Sequence, residues 1–238
     1  LHVWLPLAHP AAPTPASAVL SGAMIKAGLL GWLRFLPIGE VALPGWGSIC
    51  VAVGATGCLG AALYGCLQSH PKALLAYSSI SKMGLLILAV GVALISPAAE
   101  PAITACLLIY ATHHGLCKGA LFLSVSVPWS GGVRGWRTWL KVLLLLAPPL
   151  SLAGVALSGG ALAKSVLKTS LSTALSGPAV TLLALLLMAS GLITAGLMFR
   201  FCWLQFSDDG HRPHPPSPVS YLAWSTLAGF VIATPLLL

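Results

Sequence analysis

The sequence predicts an all-α integral membrane protein with about seven transmembrane helices, one of them broken. Three observations carry that prediction. Of 238 residues, 58% are hydrophobic and only 7% charged, and the mean hydropathy is +0.96. A soluble domain carries about 25% charged residues, so this chain cannot cover a water-facing surface. The apolar runs are long enough to cross the hydrocarbon as helices, and they lack the strict alternation of a transmembrane barrel. Between the runs stand Pro37, Pro44, Pro71, Pro97, Pro101, Pro128, Pro178 and the tract HRPHPPSP at 211–218. Proline cannot continue a helix and biases its predecessor toward extended backbone.

The expected spans are residues 14–36, 47–68, 73–95, 101–126, 138–168, 179–206 and 219–238. Residues 1–13, LHVWLPLAHPAAP, are too short and proline-rich to span; they read as an interfacial or re-entrant segment leading into the first helix at Thr14-Pro15. The first span centres on Lys26 within SAVLSGAMIKAGLLGWLRF, the third carries Lys82, and the fourth carries His113, His114 and Lys118. The fifth holds Pro148-Pro149, then Ser158-Gly159-Gly160, then Lys164 about one turn later and Lys168 near its end. Paired glycines lose the most conformational freedom on ordering, so the helix is expected to break around 158–160. Broken transmembrane helices are tolerated only where protein or water surrounds the gap, and in transporters they often mark the ion site.

Loop charges give a topology. Lys72, Arg134, Arg137, Lys141 and Arg212 (the last beside Asp208 and Asp209) lie on one side, and Arg34, Glu40 and Glu100 on the other. The positive-inside bias then places the N-terminus in the cytoplasm and the C-terminus outside. The net charge of +8 is scattered rather than gathered into a basic tract, so no nucleic-acid partner is expected and the lipid bilayer is the surrounding medium. Cys50, Cys58, Cys66, Cys106, Cys117 and Cys202 form no CxxC and no metal-ligand spacing; they read as small apolar residues, with no metal site expected. No cleavable signal peptide is visible, and the sequence opens on Leu1 rather than methionine.

The informative residues are the cations inside the apolar runs. A lysine at the bilayer centre costs about 2.5–3.5 kcal/mol on insertion scales, so Lys26, Lys82, Lys118 and Lys164 together cost on the order of 10 kcal/mol. All four acidic residues fall in expected loops, so these amines must face water, other chains or one another. An amine that can shed its proton under desolvation and like charge becomes a proton relay. His114 and Lys118 are four apart and share a helix face, whereas His113 points about 100° away, given 3.6 residues per turn. Imidazole passes protons between its two nitrogens. Lys26, His114, Lys118 and Lys164 are therefore the relay candidates, with Lys82, His113 and Lys168 as additional ones; Lys168 lies near enough to a helix end to snorkel.

Five ordered motifs carry a family resemblance: LHVWLPLAHPAAPTPASAVLSGAMIKAG (1–28), KALLAYSSISKMG (72–84), HHGLCKGALFL (113–123), SGGALAKSVL (158–167) and LITAGLMFRF (192–201). The chain resembles the antiporter-like proton-conducting membrane subunits of respiratory complex I, multisubunit cation/proton antiporters, and membrane-bound hydrogenase and formate hydrogenlyase complexes. The wording AHPAAP…SGAMIKAG is most similar to the last branch. The resemblance implies two inverted five-helix repeats, each supplying half of a proton path, joined by a central hydrophilic axis. By motif, Lys26 matches the axis lysine of the eighth helix, and His114 and Lys118 match the histidine and lysine of the eleventh. Lys164 matches the lysine or glutamate of the broken twelfth. Residues 14–36 would be the last helix of an otherwise missing first repeat, 47–206 the five-helix second repeat, and 219–238 a terminal helix. The family's lysine just upstream of LHVWLP and its glutamate partner are absent, and Lys82 stands where relatives often carry Gln or His.

The implied function is a proton-translocating, antiporter-like subunit of a redox-driven respiratory or hydrogenase-type complex in the bacterial inner membrane. Other membrane subunits are its expected partners, including one supplying the missing first half. The sequence has no haem, flavin or iron–sulfur motif, so no cofactor and no catalytic residue of its own are expected. The alternative is a shortened, non-pumping structural subunit. A third reading, cation/proton antiport or ion-coupled uptake, meets a chemical difficulty: sodium needs oxygen ligands, and no expected span holds a carboxylate.

Overall fold

Proline sets most of the helix starts. The computed structural model describes residues 4–127, 136–207 and 217–237, and among these the chain forms helices and no strand. They are α1 (Trp4–Ala11), α2 (Thr14–Val19), α3 (Ile25–Phe35), α4 (Pro44–Cys66), α5 (Pro71–Ile95), α6 (Glu100–Ser124), α7 (Trp136–Ala153), α8 (Gly159–Ala174), α9 (Pro178–Ser207) and α10 (Pro218–Leu237). Helices α4, α5, α9 and α10 open on proline, whose missing N–H is no loss in the first turn. The His70 ring caps α5, its Nδ1 accepting the Lys72 N–H at 3.2 Å.

A π-helical turn, Leu20–Met24, joins α2 and α3 into one continuous span, Thr14–Phe35. With Pro44–Cys66, Pro71–Ile95, Pro97–Ser124, Pro178–Ser207 and Pro218–Leu236, six helices among the described residues are long and apolar enough to cross a membrane. The remaining expected span, 138–168, is the broken one: it comprises α7 and α8 and runs on to Ala174. The interruption itself is 154–158, where Gly154 (φ 86°) and Leu157 (φ 65°) adopt left-handed backbone. Gly159 and Gly160 are not the gap but the first residues of α8, capped by Ser158 Oγ, which accepts the Ala161 N–H at 3.3 Å. Glu100, expected in a loop, is the first residue of α6. Pro128, Arg134, Asp208, Asp209, Arg212 and the tract up to Pro216 lie outside the described residues.

Helices α5 and α6 are the most buried spans, and α2–α3, α4, α9 and α10 surround them. Backbone proximity fixes the α4–α5 hairpin. A Cβ on Gly54 would lie 2.5 Å from Leu88 N, one on Gly84 2.7 Å from Cys58 N, and one on Gly91 2.7 Å from Gly47 O. The outer faces of α4 and α9 present Trp46, Ile49, Val53, Leu185, Met188 and Leu192 outward, the surface a bilayer covers.

The interior is layered. One apolar cluster gathers Leu86, Val90 and Leu94 of α5, Ile103 and Leu107 of α6, and Leu167 and Leu171 of α8. A second gathers Leu74 and Leu75 of α5, Leu121 and Phe122 of α6, Leu152 of α7, and Leu197 and Phe201 of α9. Between them, at the middle turns of α5, α6 and α9, lie the buried polar residues Lys82, His113, His114, Lys118, Ser190 and Thr194. A polar layer thus crosses the bundle at mid-depth.

The hairpin geometry predicts opposite outcomes for two glycines on α4. Gly54→Val forces side-chain atoms into the Leu88 backbone and should destabilise the detergent-solubilised protein by about 1–3 kcal/mol or more. Gly60 has open space around its Cβ position, so Gly60→Ala should be neutral or stabilising by up to about 1 kcal/mol. Thermal unfolding of the two variants checks both.

Candidate functional site

Each buried amine meets neutral oxygen. Lys82 Nζ donates to Thr194 Oγ1 at 2.6 Å and reaches Ser190 Oγ at 3.4 Å. Thr194 Oγ1 in turn donates to Ser190 O at 2.5 Å, so the two α9 residues are locked by their own helix. Lys118 Nζ donates to Leu75 O across α5 at 2.8 Å. Lys26 Nζ donates to Ser21 O, five residues back in the π turn, where the widened ladder brings a carbonyl within reach of the side chain. Ser21 Oγ also pairs with Ser79 Oγ of α5 at 2.7 Å.

Close backbone approach places Lys26. Helix α6 passes the π turn at glycine: a Cβ on Gly115 would lie 2.7 Å from Gly22 O and 3.9 Å from Lys26 Cε. Lys26 therefore sits beside the His114–Lys118 turn of α6. It is half-buried and lines a cavity of about 830 Å³ with Gly22, Ala111, Gly115 and Leu227.

The helix break holds Lys164. Its Nζ donates to Ala153 O, the last residue of α7, at 2.5 Å, and its side chain lies over Gly154, where a Cβ would meet Nζ at 2.6 Å. The last carbonyls of a helix lack backbone partners and carry the negative end of its dipole, so the broken span itself supplies the acceptor. His113 closes the other side. Its Nε2 pairs with Ser151 Oγ at 2.8 Å and with Cys117 Sγ at 3.3 Å. Ser151 Oγ also accepts the Gly160 N–H at 3.3 Å. A Cβ on Gly159 would lie 2.6 Å from Thr234 Cγ2 and 3.1 Å from His113 Cδ2. The glycine pair therefore admits α10 and the imidazole to the start of α8.

His114 occupies the centre. It is fully buried, neither ring nitrogen has a partner in the protein, and Lys26, Lys118, Lys82 and His113 all lie within electrostatic reach of it. Lys82 and His113 in turn feel Lys164. The structure thus brings together Lys26, His114, Lys118 and Lys164, and with them Lys82 and His113; it leaves Lys168 exposed on α8. Among the described residues, both carboxylates stand apart from this layer. Glu40 is exposed in the α3–α4 connection, and Glu100 accepts from Thr104 Oγ1 at 2.7 Å in the first turn of α6.

Sequence reasoning did not select Ser190 and Thr194, although their four-residue spacing in an apolar run is the signal that singled out His114 and Lys118. The carbonyls of Ser21, Leu75 and Ala153 have no sequence signal, since every residue carries one.

A membrane-spanning helical bundle with a basic layer at mid-depth and one span broken beside it defines an integral membrane protein of the ion-handling type. Residues 1–133 match the family described as "NADH:quinone oxidoreductase/Mrp antiporter, TM", and the chain belongs to that family. Hydrogenase-4 component B of Escherichia coli (strain K12) is 31% identical over 215 residues, covering 67% of this chain and 32% of the relative. A probable K(+)/H(+) antiporter protein of Rhizobium meliloti (strain 1021) is 30% identical, covering 97% of this chain and 24% of the relative. The Mrp complex from Dietzia sp. DQ12-45-1b superposes with a TM-score of 0.77 at 25% identity, over 97% of this chain and 25% of that one. The chain spans about a third or less of the length of each.

The Lys82 environment gives a double-mutant prediction. Thr194→Val leaves a buried ammonium short of its nearest acceptor and should cost about 1–3 kcal/mol of stability. In a Lys82→Met background the same substitution should cost less than half as much, measured by a thermal or denaturant unfolding cycle.

Proposed function

We propose that the chain is a proton-translocating, antiporter-like segment of a larger membrane complex, passing protons along Lys26, Lys118, His114, Lys82 and Lys164. One observation carries this: five buried or half-buried basic groups form an unbroken electrostatic series at mid-depth, and the amines are held by carbonyls and hydroxyls. A carboxylate partner would fix each proton in place. A carbonyl or hydroxyl oxygen accepts from an ammonium or from a neutral amine alike, which leaves the proton free to move on.

The energetics match the task. Moving one charge against about 100 mV takes about 2.3 kcal/mol. Two like charges about 8 Å apart at an effective dielectric near 20 repel by about 2 kcal/mol. A cation arriving at one station can therefore expel the proton from the next. His114, with two unpartnered nitrogens, joins the amines of α3, α5 and α6, and Lys82 and His113 lead toward Lys164 at the break.

In this reading residues 14–36 are the last helix of a first repeat, 47–206 the second repeat, and 219–238 a terminal helix. The first repeat lies in another polypeptide or in a further part of the same one. The site is a bacterial inner membrane with Lys72 on the cytoplasmic side, where the complex's redox chemistry resides in other subunits.

Two substitutions test it in the assembled complex, reconstituted into vesicles with a pH-sensitive dye. Lys164→Ala should lower proton uptake by about tenfold or more while leaving assembly of the complex intact. Lys118→Arg keeps a positive charge that does not deprotonate near neutral pH, and it should fail as badly as Lys118→Ala. Wild-type uptake in Lys164→Ala would sink the relay; activity in Lys118→Arg would mean that position supplies charge alone.

A further inference from the structure

One buried titratable group stands outside the series. His9, in α1, is fully buried, and neither ring nitrogen has a hydrogen-bond partner in the protein. Its ring stacks on Phe122 of α6 with centroids 4.3 Å apart and an interplanar angle of 21°. Phe122 lies four residues beyond Lys118, one turn along the same face. On the other flank, Lys72 of α5 donates to Ala12 O at 2.6 Å, which ties the end of the α1 segment to the start of α5. Three residues on, Leu75 O receives the Lys118 ammonium. The two charged groups within electrostatic reach of His9 are Lys118 and Lys72. Lys118 is sealed in the bundle, whereas Lys72 is only half-buried and follows the exposed cap residue His70.

We propose that His9 is the proton-transfer station linking the Lys72 end of the bundle to Lys118. This inference rests on the relay reading above and adds its access route on one side of the membrane. An imidazole placed only for packing would satisfy at least one nitrogen, because an unpaired buried polar group costs about 1–3 kcal/mol. His9 leaves both open, while its backbone is held: its carbonyl accepts from Ser17 Oγ at 3.2 Å. In the transfer, one ring nitrogen takes a proton from water on the Lys72 side while the other releases its own toward the Lys118 amine. The imidazole ends as its opposite tautomer and resets by reorienting its ring, so protons balance and no other reactant is needed.

The test uses the full complex in vesicles. His9→Phe keeps an aromatic ring against Phe122 but carries no proton, and it should lower uptake about tenfold or more with assembly unchanged. Should that variant not assemble, His9→Gln, of similar polarity but unable to relay, carries the same test. His9→Ala should lose uptake likewise and regain most of it in millimolar imidazole, whereas Lys164→Ala should not respond to imidazole. Wild-type uptake in His9→Phe, or failure of imidazole to restore His9→Ala, overturns the proposal. If the Lys164 variant loses uptake while the His9 variants keep it, this access route is wrong and the relay stands; if Lys164→Ala keeps uptake, the relay itself has failed.

Discussion

The chain must hold several ammonium groups at mid-depth without a carboxylate beside them, and much of the fold answers that constraint. Each ammonium offers three donors and no acceptor. The structure meets them with a carbonyl from a π turn for Lys26, a carbonyl of a neighbouring helix for Lys118, two hydroxyls for Lys82 and a helix terminus for Lys164. These acceptors need close backbone approach, and glycine provides it where α6 passes the π turn and where α10 meets the start of α8. The two apolar clusters above and below confine the polar layer to one depth. Rigid apolar packing on both sides keeps the stations in register, since side chains in a dense interior have few alternative positions.

How much of this is legible in the sequence depends on which groups have letters. Lys26, Lys82, Lys118 and Lys164 are conspicuous because a cation in an apolar run has to be explained, and His114 follows from its four-residue spacing to Lys118. Their acceptors are largely illegible. The π turn at Leu20–Met24 leaves no compositional mark, and a backbone carbonyl is common to all residues. The glycine pair points to a break one turn beyond the true one. The turn is made by Gly154 and Leu157 in left-handed backbone, while Gly159 and Gly160 serve proximity to Thr234 and His113. The signal for flexibility and the signal for close approach are the same residue type, and sequence alone does not separate them. His9 escapes notice because α1 is too short to span, and a span-based reading treats such a segment as a lead-in rather than as part of the interior.

The stations are not equivalent, and the difference comes from the backbone. Lys26, Lys82 and Lys118 gather around His114, so any one carrying a proton repels a second arriving nearby. Lys164 sits instead at the C-terminus of α7, where aligned peptide dipoles supply roughly half a negative charge, worth up to about 2 kcal/mol to a cation in a partly buried site. That partial charge belongs to the broken helix and stays put as protons pass. A proton displaced from the crowded cluster by its neighbours therefore finds a fixed electrostatic well one step further on, beside the exposed turn of α8 that carries Lys168. An unbroken helix would offer no free carbonyl there, and the cluster would have repulsion but no direction. The break at 154–158 is thus what turns a set of buried amines into an ordered series.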